Sequence, residues 1–184
     1  MVPVLSHYIL KSPHIFNQIN IFGCLLCIII MFSHSINKIL TRNPHTSTYF
    51  SGCYSADRIP QKSNHRYPYC MVVNLDCSGW EGSHWVAIFV ESQRSAEYYD
   101  SFGDWPPVSP YIISFLEQFA NIKYNREQIQ SSQSSSCGKH AIYFLIHRCS
   151  GLIRDVHEMT MHFKCHKRKP DLIVNSFVRN LMHI

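Results

Sequence analysis

"QSSQSSSCGKHAIYFLIHRC", residues Gln130 to Cys149, sets a cysteine between a serine-rich turn and an apolar run. Ala141, Ile142, Phe144, Leu145 and Ile146 make that run strongly apolar and Ser150-Gly151 supplies a stop, so a buried helix is predicted to begin at or just after Cys137. A thiol at a helix start feels the positive end of the macrodipole, which lowers its pKa and favours the nucleophilic thiolate. The backbone N–H groups at the same place can hold an oxyanion. The bland alternative for Cys137 is a buried core thiol.

Working outward, a thiolate nucleophile needs an imidazole to share its proton and a third group to orient that imidazole. The chain carries 12 histidines, so position must choose among them. His84 opens the apolar stretch "HWVAIFVE" (84–91), directly after the turn-like "SGWEGS". Asp100 ends "AEYYDS" (96–101), and a hairpin through "SQRS" would bring the two ends to one side of a sheet. An aspartate there can accept a hydrogen bond from the imidazole, giving a triad in the order His84, Asp100, Cys137. His84 as a turn histidine and Asp100 as a strand-end cap in "DSFG" are the structural alternatives.

The remaining elements follow from composition and period. "CMVVNL" (70–75) reads as a third strand, and "TYFSGCYSADRIP" ahead of it as an irregular lead-in punctuated by Gly52 and Pro60. A short helix is predicted over 35–40, ending before Asn43-Pro44. Apolar positions 112, 113, 115, 116 and 119 predict a helix capped by Ser109 with Pro110 in its first turn. "REQIQ" (126–130) reads as a short strand, and "PDLIVNSFVRNLMHI" as a closing helix starting near Pro170 or Asp171. Strands, helix, strand, helix, helix make an α+β domain over residues 34–184. Residues 1–33 form a hydrophobic segment of unknown role: "IFGCLLCIIIMF" (21–32) is too short for the roughly twenty residues of a membrane span. That leaves a short anchor, a signal-peptide core, a buried helix or sequence outside the working protein as its readings, and no stable membrane partner is expected. A chain starting at Met31 would keep every motif described here.

Composition excludes other classes. With 46% hydrophobic and 13% aromatic residues, the chain should fold rather than stay disordered. The net charge of +5 is modest, and the one dense basic run, His166-Lys167-Arg168-Lys169, is better read as a solvated turn than as a nucleic-acid contact. The eight cysteines are irregularly spread, which points to free thiols in a reducing, intracellular setting. Cys24 and Cys27 have the spacing of half a zinc knuckle but lack a polar second pair. His157, His162, Cys165 and His166 do not fall on one helix face, and the histidines of "HEMTMH" are five apart rather than four. No metal or other cofactor is expected.

The ordered set "HWVAIF", "YYDSFG" and "QSSQSSSCG" resembles the adenovirus-type processing cysteine proteases (adenain) and their relatives in Polinton/Maverick elements. More distantly it is similar to the Ulp/SENP deconjugating proteases. "YFSGCYSADRIP" and "CMVVNL" resemble the adenain pattern upstream of its histidine, and the resemblance covers roughly residues 35 to 150. It implies a circularly permuted papain-like fold, with a central helix against a mixed sheet. It further implies His84 as general base, Cys137 as nucleophile, Asp100 where adenain has Glu, and an oxyanion-donating glutamine. Gln130 lies seven residues before Cys137, the adenain-like spacing, whereas Gln133 lies four before and the Ulp-type spacing of six falls on Ser131. The implied activity is endopeptidase processing of capsid or core precursors in a virus or virus-derived element, located in nucleus or virion. Its partners would be protein substrates, and the working form a monomer. The alternatives are removal of ubiquitin-like modifiers, or an inactive remnant serving as a binding module. A DNA or peptide activator belongs to the family pattern. No cysteine lies between Cys77 and Cys137, so covalent activation through a disulfide at that place does not carry over.

Overall fold

The β-branched and aromatic runs become strands, and the runs with helical period become the helices around them. A computed structural model describes residues 32–61, 66–80 and 82–182. In chain order the elements are α1 (Ser33–Arg42), β1 (Phe50–Ser55), a 3-10 turn (Ala56–Arg58), β2 (Tyr69–Asn74), β3 (Trp85–Ser92) and β4 (Ser95–Tyr99). They continue with α2 (Pro110–Leu116), β5 (Asn121–Tyr124), α3 (Cys137–Cys149), α4 (Val156–Cys165) and α5 (Pro170–Met182). The sequence segment ahead of residue 32, with Cys24 and Cys27, lies outside the described residues.

The five strands form one sheet in the order β1-β2-β3-β4-β5. β2, β3 and β4 run antiparallel, while β1 joins β2 and β5 joins β4 in parallel, so the sheet is mixed. Every residue of β2 is buried, which accounts for an unbroken apolar run where a half-exposed strand would alternate. One face of the sheet, with Cys70, Val72, Ala87, Phe89 and Tyr99, packs on α1, α3 and α5. The opposite face, with Met71, Val73, Val86, Ile88 and Tyr98, packs on α2. Gly138 to Ile146 of α3 are all buried, so this helix is enclosed on every side and serves as the rigid post of the domain.

Three local expectations are corrected. "REQIQ" is not a strand: β5 is the four-residue "NIKY", which ends at Tyr124, with Asn125 between the two. The Ile129 and Gln130 N–H groups donate instead to the Ser101 carbonyl, at 2.8 and 2.9 Å, so this backbone is satisfied by a turn rather than a ladder. "TYFSGCYSADRIP" is not irregular, because it contains β1 and the 3-10 turn. β1 is half-buried throughout and shifts register between Phe50 and Gly52, which erases the period-two signal. "VHEMTMHFKC" is a helix, α4, started by Asp155, whose carboxylate accepts from the His157 and Glu158 N–H groups. Val156, Met159, Thr160 and Phe163 are its buried face, a helical spacing hidden among histidines.

Candidate active site

The β3–β4 hairpin is registered with Ala87 opposite Tyr99, so its open end carries His84 just before β3 and Asp100 just after β4. His84 Nε2 lies 2.7 Å from Asp100 Oδ1, and the two residues are 7% and 1% exposed. The Asp100 backbone is gripped by the Asn125 side chain, which accepts from its N–H at 3.0 Å and donates to its carbonyl at 2.6 Å. The Phe102 N–H donates to Asp100 Oδ1 at 2.8 Å, and the Phe102 ring stacks on the His84 ring at 4.9 Å. Gly103 closes this turn with φ +72°, and a Cβ there would meet the Glu127 carbonyl carbon at 2.6 Å. Only glycine fits that position.

Cys137 is the first residue of α3. Its thiol is hydrogen-bonded to the His84 ring, whose Nε2 is already on Asp100, and the Trp85 and Gly138 N–H groups donate to the sulfur. Burial opposes charge on both partners. On His84 the hydrogen bonds to Asp100 and Cys137 overcome that penalty and push its pKa up to about 9. On Cys137 the hydrogen bond and charge of His84, with the two N–H donors, overcome it in the other sense and hold the thiol below its ordinary value. Burial pushes the Cys53 thiol up, and the Cys149 contact together with burial raises Cys70, so it is the imidazole and the N–H groups that set Cys137 apart. The arrangement favours a thiolate–imidazolium pair.

Gln130 is 2% exposed. Its Oε1 accepts from Ser101 Oγ at 2.7 Å, and its Nε2 donates one hydrogen to the Ser134 carbonyl at 2.6 Å, leaving the second for another acceptor. Ser101 follows Asp100, so one turn anchors both the acid and the amide. His84, Asp100 and Cys137 thus form one hydrogen-bonded chain, and Gln130 is tied into the same turn. Trp85 is half-buried against the core that encloses α3.

Sequence reasoning missed Ser101, Phe102 and Asn125, which orient the acid and the amide, and it missed a second pair. His140, one turn into α3, is fully buried, with Nε2 3.2 Å from Asp171 Oδ1 and Nδ1 3.4 Å from the Tyr99 hydroxyl. Asp171 belongs to α5, and no local motif announces that it reaches back to α3.

No family model matches the chain. A protein of Acanthamoeba polyphaga mimivirus named as a thiol protease, R355, is 36% identical over 92 residues, covering 44% of this chain. The match spans only 30% of that relative's length. The crystal structure of the ASFV pS273R protease superposes with a TM-score of 0.51 at 19% identity, over 83% of this chain and 67% of that one. The chain has that protease's fold. A looser likeness, at TM-score 0.41 and 17% identity, joins 62% of this chain to 58% of ChlaDub1 from Chlamydia trachomatis. The α+β architecture, with a central helix carrying the cysteine against a mixed sheet, is the one the sequence resemblance implied.

Proposed function

We propose that the chain is a cysteine endopeptidase that processes precursor proteins of a virus or virus-derived element. The observation that carries the activity is the chain of contacts from Asp100 through the His84 ring to a Cys137 thiol whose pKa is held down at a helix start. The viral setting is supported by the relatives, a protein of a mimivirus named as a thiol protease and a protease of ASFV.

In this reading the Cys137 thiolate attacks the scissile carbonyl carbon and the carbonyl π electrons move to oxygen. The Cys137 N–H and the second Gln130 Nε2–H hold that oxyanion. Collapse breaks the C–N bond, and the His84 imidazolium gives its proton to the leaving amine. A thioester remains on Cys137. Water, deprotonated by the now neutral His84, attacks it and releases the acid, restoring the thiolate–imidazolium pair. Asp100 keeps Nε2–H aligned, so the other ring nitrogen always faces the sulfur.

Incubating the purified chain with a thiol-directed activity probe and with Gly-containing precursor-type peptides tests this. Labelling and cleavage should both vanish in Cys137→Ala, and labelling that survives would sink the nucleophile assignment. Reaction with a ubiquitin-like C-terminal probe, and with no precursor peptide, would replace precursor processing by removal of modifiers.

A further inference from the structure

Asp171 accepts hydrogen bonds from four donors that flank the nucleophile on both sides. The Ser131 N–H donates to Oδ2 at 2.9 Å, and Ser134 Oγ donates to Oδ1 at 2.9 Å. Ser136 Oγ donates to Oδ1 through a short contact, and His140 Nε2 completes the set at 3.2 Å. Each donor is adjacent to a part of the site. Ser131 follows Gln130, Ser136 precedes Cys137, and His140 is one turn beyond Cys137. Ser134 is the residue whose carbonyl takes one Gln130 Nε2 hydrogen, at 2.6 Å.

We propose that Asp171 is a positioning residue: through Ser131, Ser134 and Ser136 it fixes the loop between Gln130 and Cys137, so that the Gln130 amide and the Cys137 N–H converge on one oxyanion. This rests on the peptidase reading above. The serine-rich loop has little apolar surface to hold it, and a loop of small polar residues is otherwise mobile. A carboxylate is the acceptor best suited to gather several neutral donors, because its two oxygens offer about four lone-pair sites. Ser136, at the N-cap position of α3, makes no capping bond of its own, so its hydroxyl is given over to Asp171. One turn along α5, Asn175 Oδ1 accepts from Lys139 Nζ at 2.6 Å, which fastens the same helix to α3 without touching the loop. α5 therefore presents Asp171 to the loop and to His140, and Asn175 to α3 alone. Substrate contact is not required of either.

The separation of roles gives the test. Asp171→Ala, Asp171→Asn and Asn175→Ala are compared with the wild type for kcat and KM on a cleaved peptide, for the pH profile of Cys137 alkylation by iodoacetamide, and for Tm. Loss of alignment by about an ångström costs on the order of 100-fold in rate, so Asp171→Ala should lose kcat on that scale with KM little changed. Its alkylation profile should stay that of the wild type, because His84 and Asp100 still ionise the thiol. Asp171→Asn keeps one good acceptor oxygen and should lose only part of kcat; if the alanine variant fails to fold, the asparagine variant decides alone. Asn175→Ala should lower Tm and leave kcat unchanged. Wild-type kcat in the folded Asp171 variants overturns the proposal, as does an alkylation rate that falls in step with kcat. Absence of Cys137-dependent cleavage in the wild type overturns the peptidase reading itself, and this proposal with it.

Discussion

His84 and His140 both set Nε2 against an aspartate Oδ1, at 2.7 and 3.2 Å, and both are buried, yet one imidazole is pushed up to about 9 and the other down from its ordinary value. Burial opposes the charged form in each. What differs is the rest of each neighbourhood. Around His84, Asp100 has, among the described residues, the Phe102 N–H and a Tyr98 hydroxyl at 3.4 Å as competing donors, and the second ring nitrogen faces a sulfur that can carry negative charge. Around His140, Asp171 is shared with three serine donors, the second nitrogen faces a neutral tyrosine hydroxyl, and the charge of His84 adds repulsion. A histidine–aspartate distance alone therefore says little about charge. The partner on the far side of the ring decides it.

The largest effect that could break this contrast is on turnover. His84→Ala should lower kcat by on the order of 10^6-fold with the fold intact, as loss of a triad base does. His140→Phe should cost stability of about 1–3 kcal/mol through stranded polar partners, with a much smaller loss of rate. Equal losses of turnover in the two variants would abolish the distinction. Asp100→Asn comes next, at about 10^4-fold in kcat, because the amide favours the wrong tautomer of His84. A wild-type rate in steady-state assays of that variant would reassign the orienting role.

Gly103→Ala sharpens the comparison from the Asp100 side. Its backbone sits at φ +72° against Glu127, so the substitution should cost about 1–3 kcal/mol and displace the turn that aims Asp100 and, through Ser101, holds Gln130. Thermal denaturation with alkylation kinetics checks both halves.

Proton linkage supplies the next contrast. His140 has its folded pKa below the ordinary 6.5, so the stability it contributes is present above that value and is lost as pH falls through the lowered one. His84 alone would act oppositely, its contribution being lost as pH rises from 6.5 through about 9. Cys137, ionised in the fold below its ordinary 9.0, offsets that slope, since one group gains the proton the other gives up. Tm measured against pH should therefore show an acid-side loss that His140→Phe removes, and an alkaline side that steepens in Cys137→Ser. Activity should fall on both sides, at low pH as the thiolate is protonated and near pH 9 as His84 loses the proton owed to the leaving amine. The smallest effect is that of Tyr99→Phe, about 1 kcal/mol in stability from a lost 3.4 Å contact to His140, with kcat retained.

The triad was legible because each member stands where one element meets a turn. A hairpin read from two β-rich runs places His84 beside Asp100, and a serine turn before an apolar run places Cys137 at a helix start. The edges of the sheet were not legible in the same way. β1 and β5 pair in parallel with partners far along the chain, and one is half-buried throughout while the other is four residues long. α4 was hidden because its apolar face is interleaved with histidines, one of which, His162, packs against Tyr143 and His166. Asp171 carries no signal in its own neighbourhood. "KPDLIV" reads as an ordinary helix start, and its significance comes wholly from the loop 35 to 40 residues earlier.

Chain order gives Asp171 one more consequence. A ribosome adds His84, Asp100, Gln130 and Cys137 before it reaches α5. A nascent chain that already carries its nucleophile thus still lacks the carboxylate that gathers Ser131, Ser134 and Ser136. On the peptidase reading and the role proposed for Asp171, competence for peptide hydrolysis arrives after the thiol does, when the growing chain has folded α5 back onto α3.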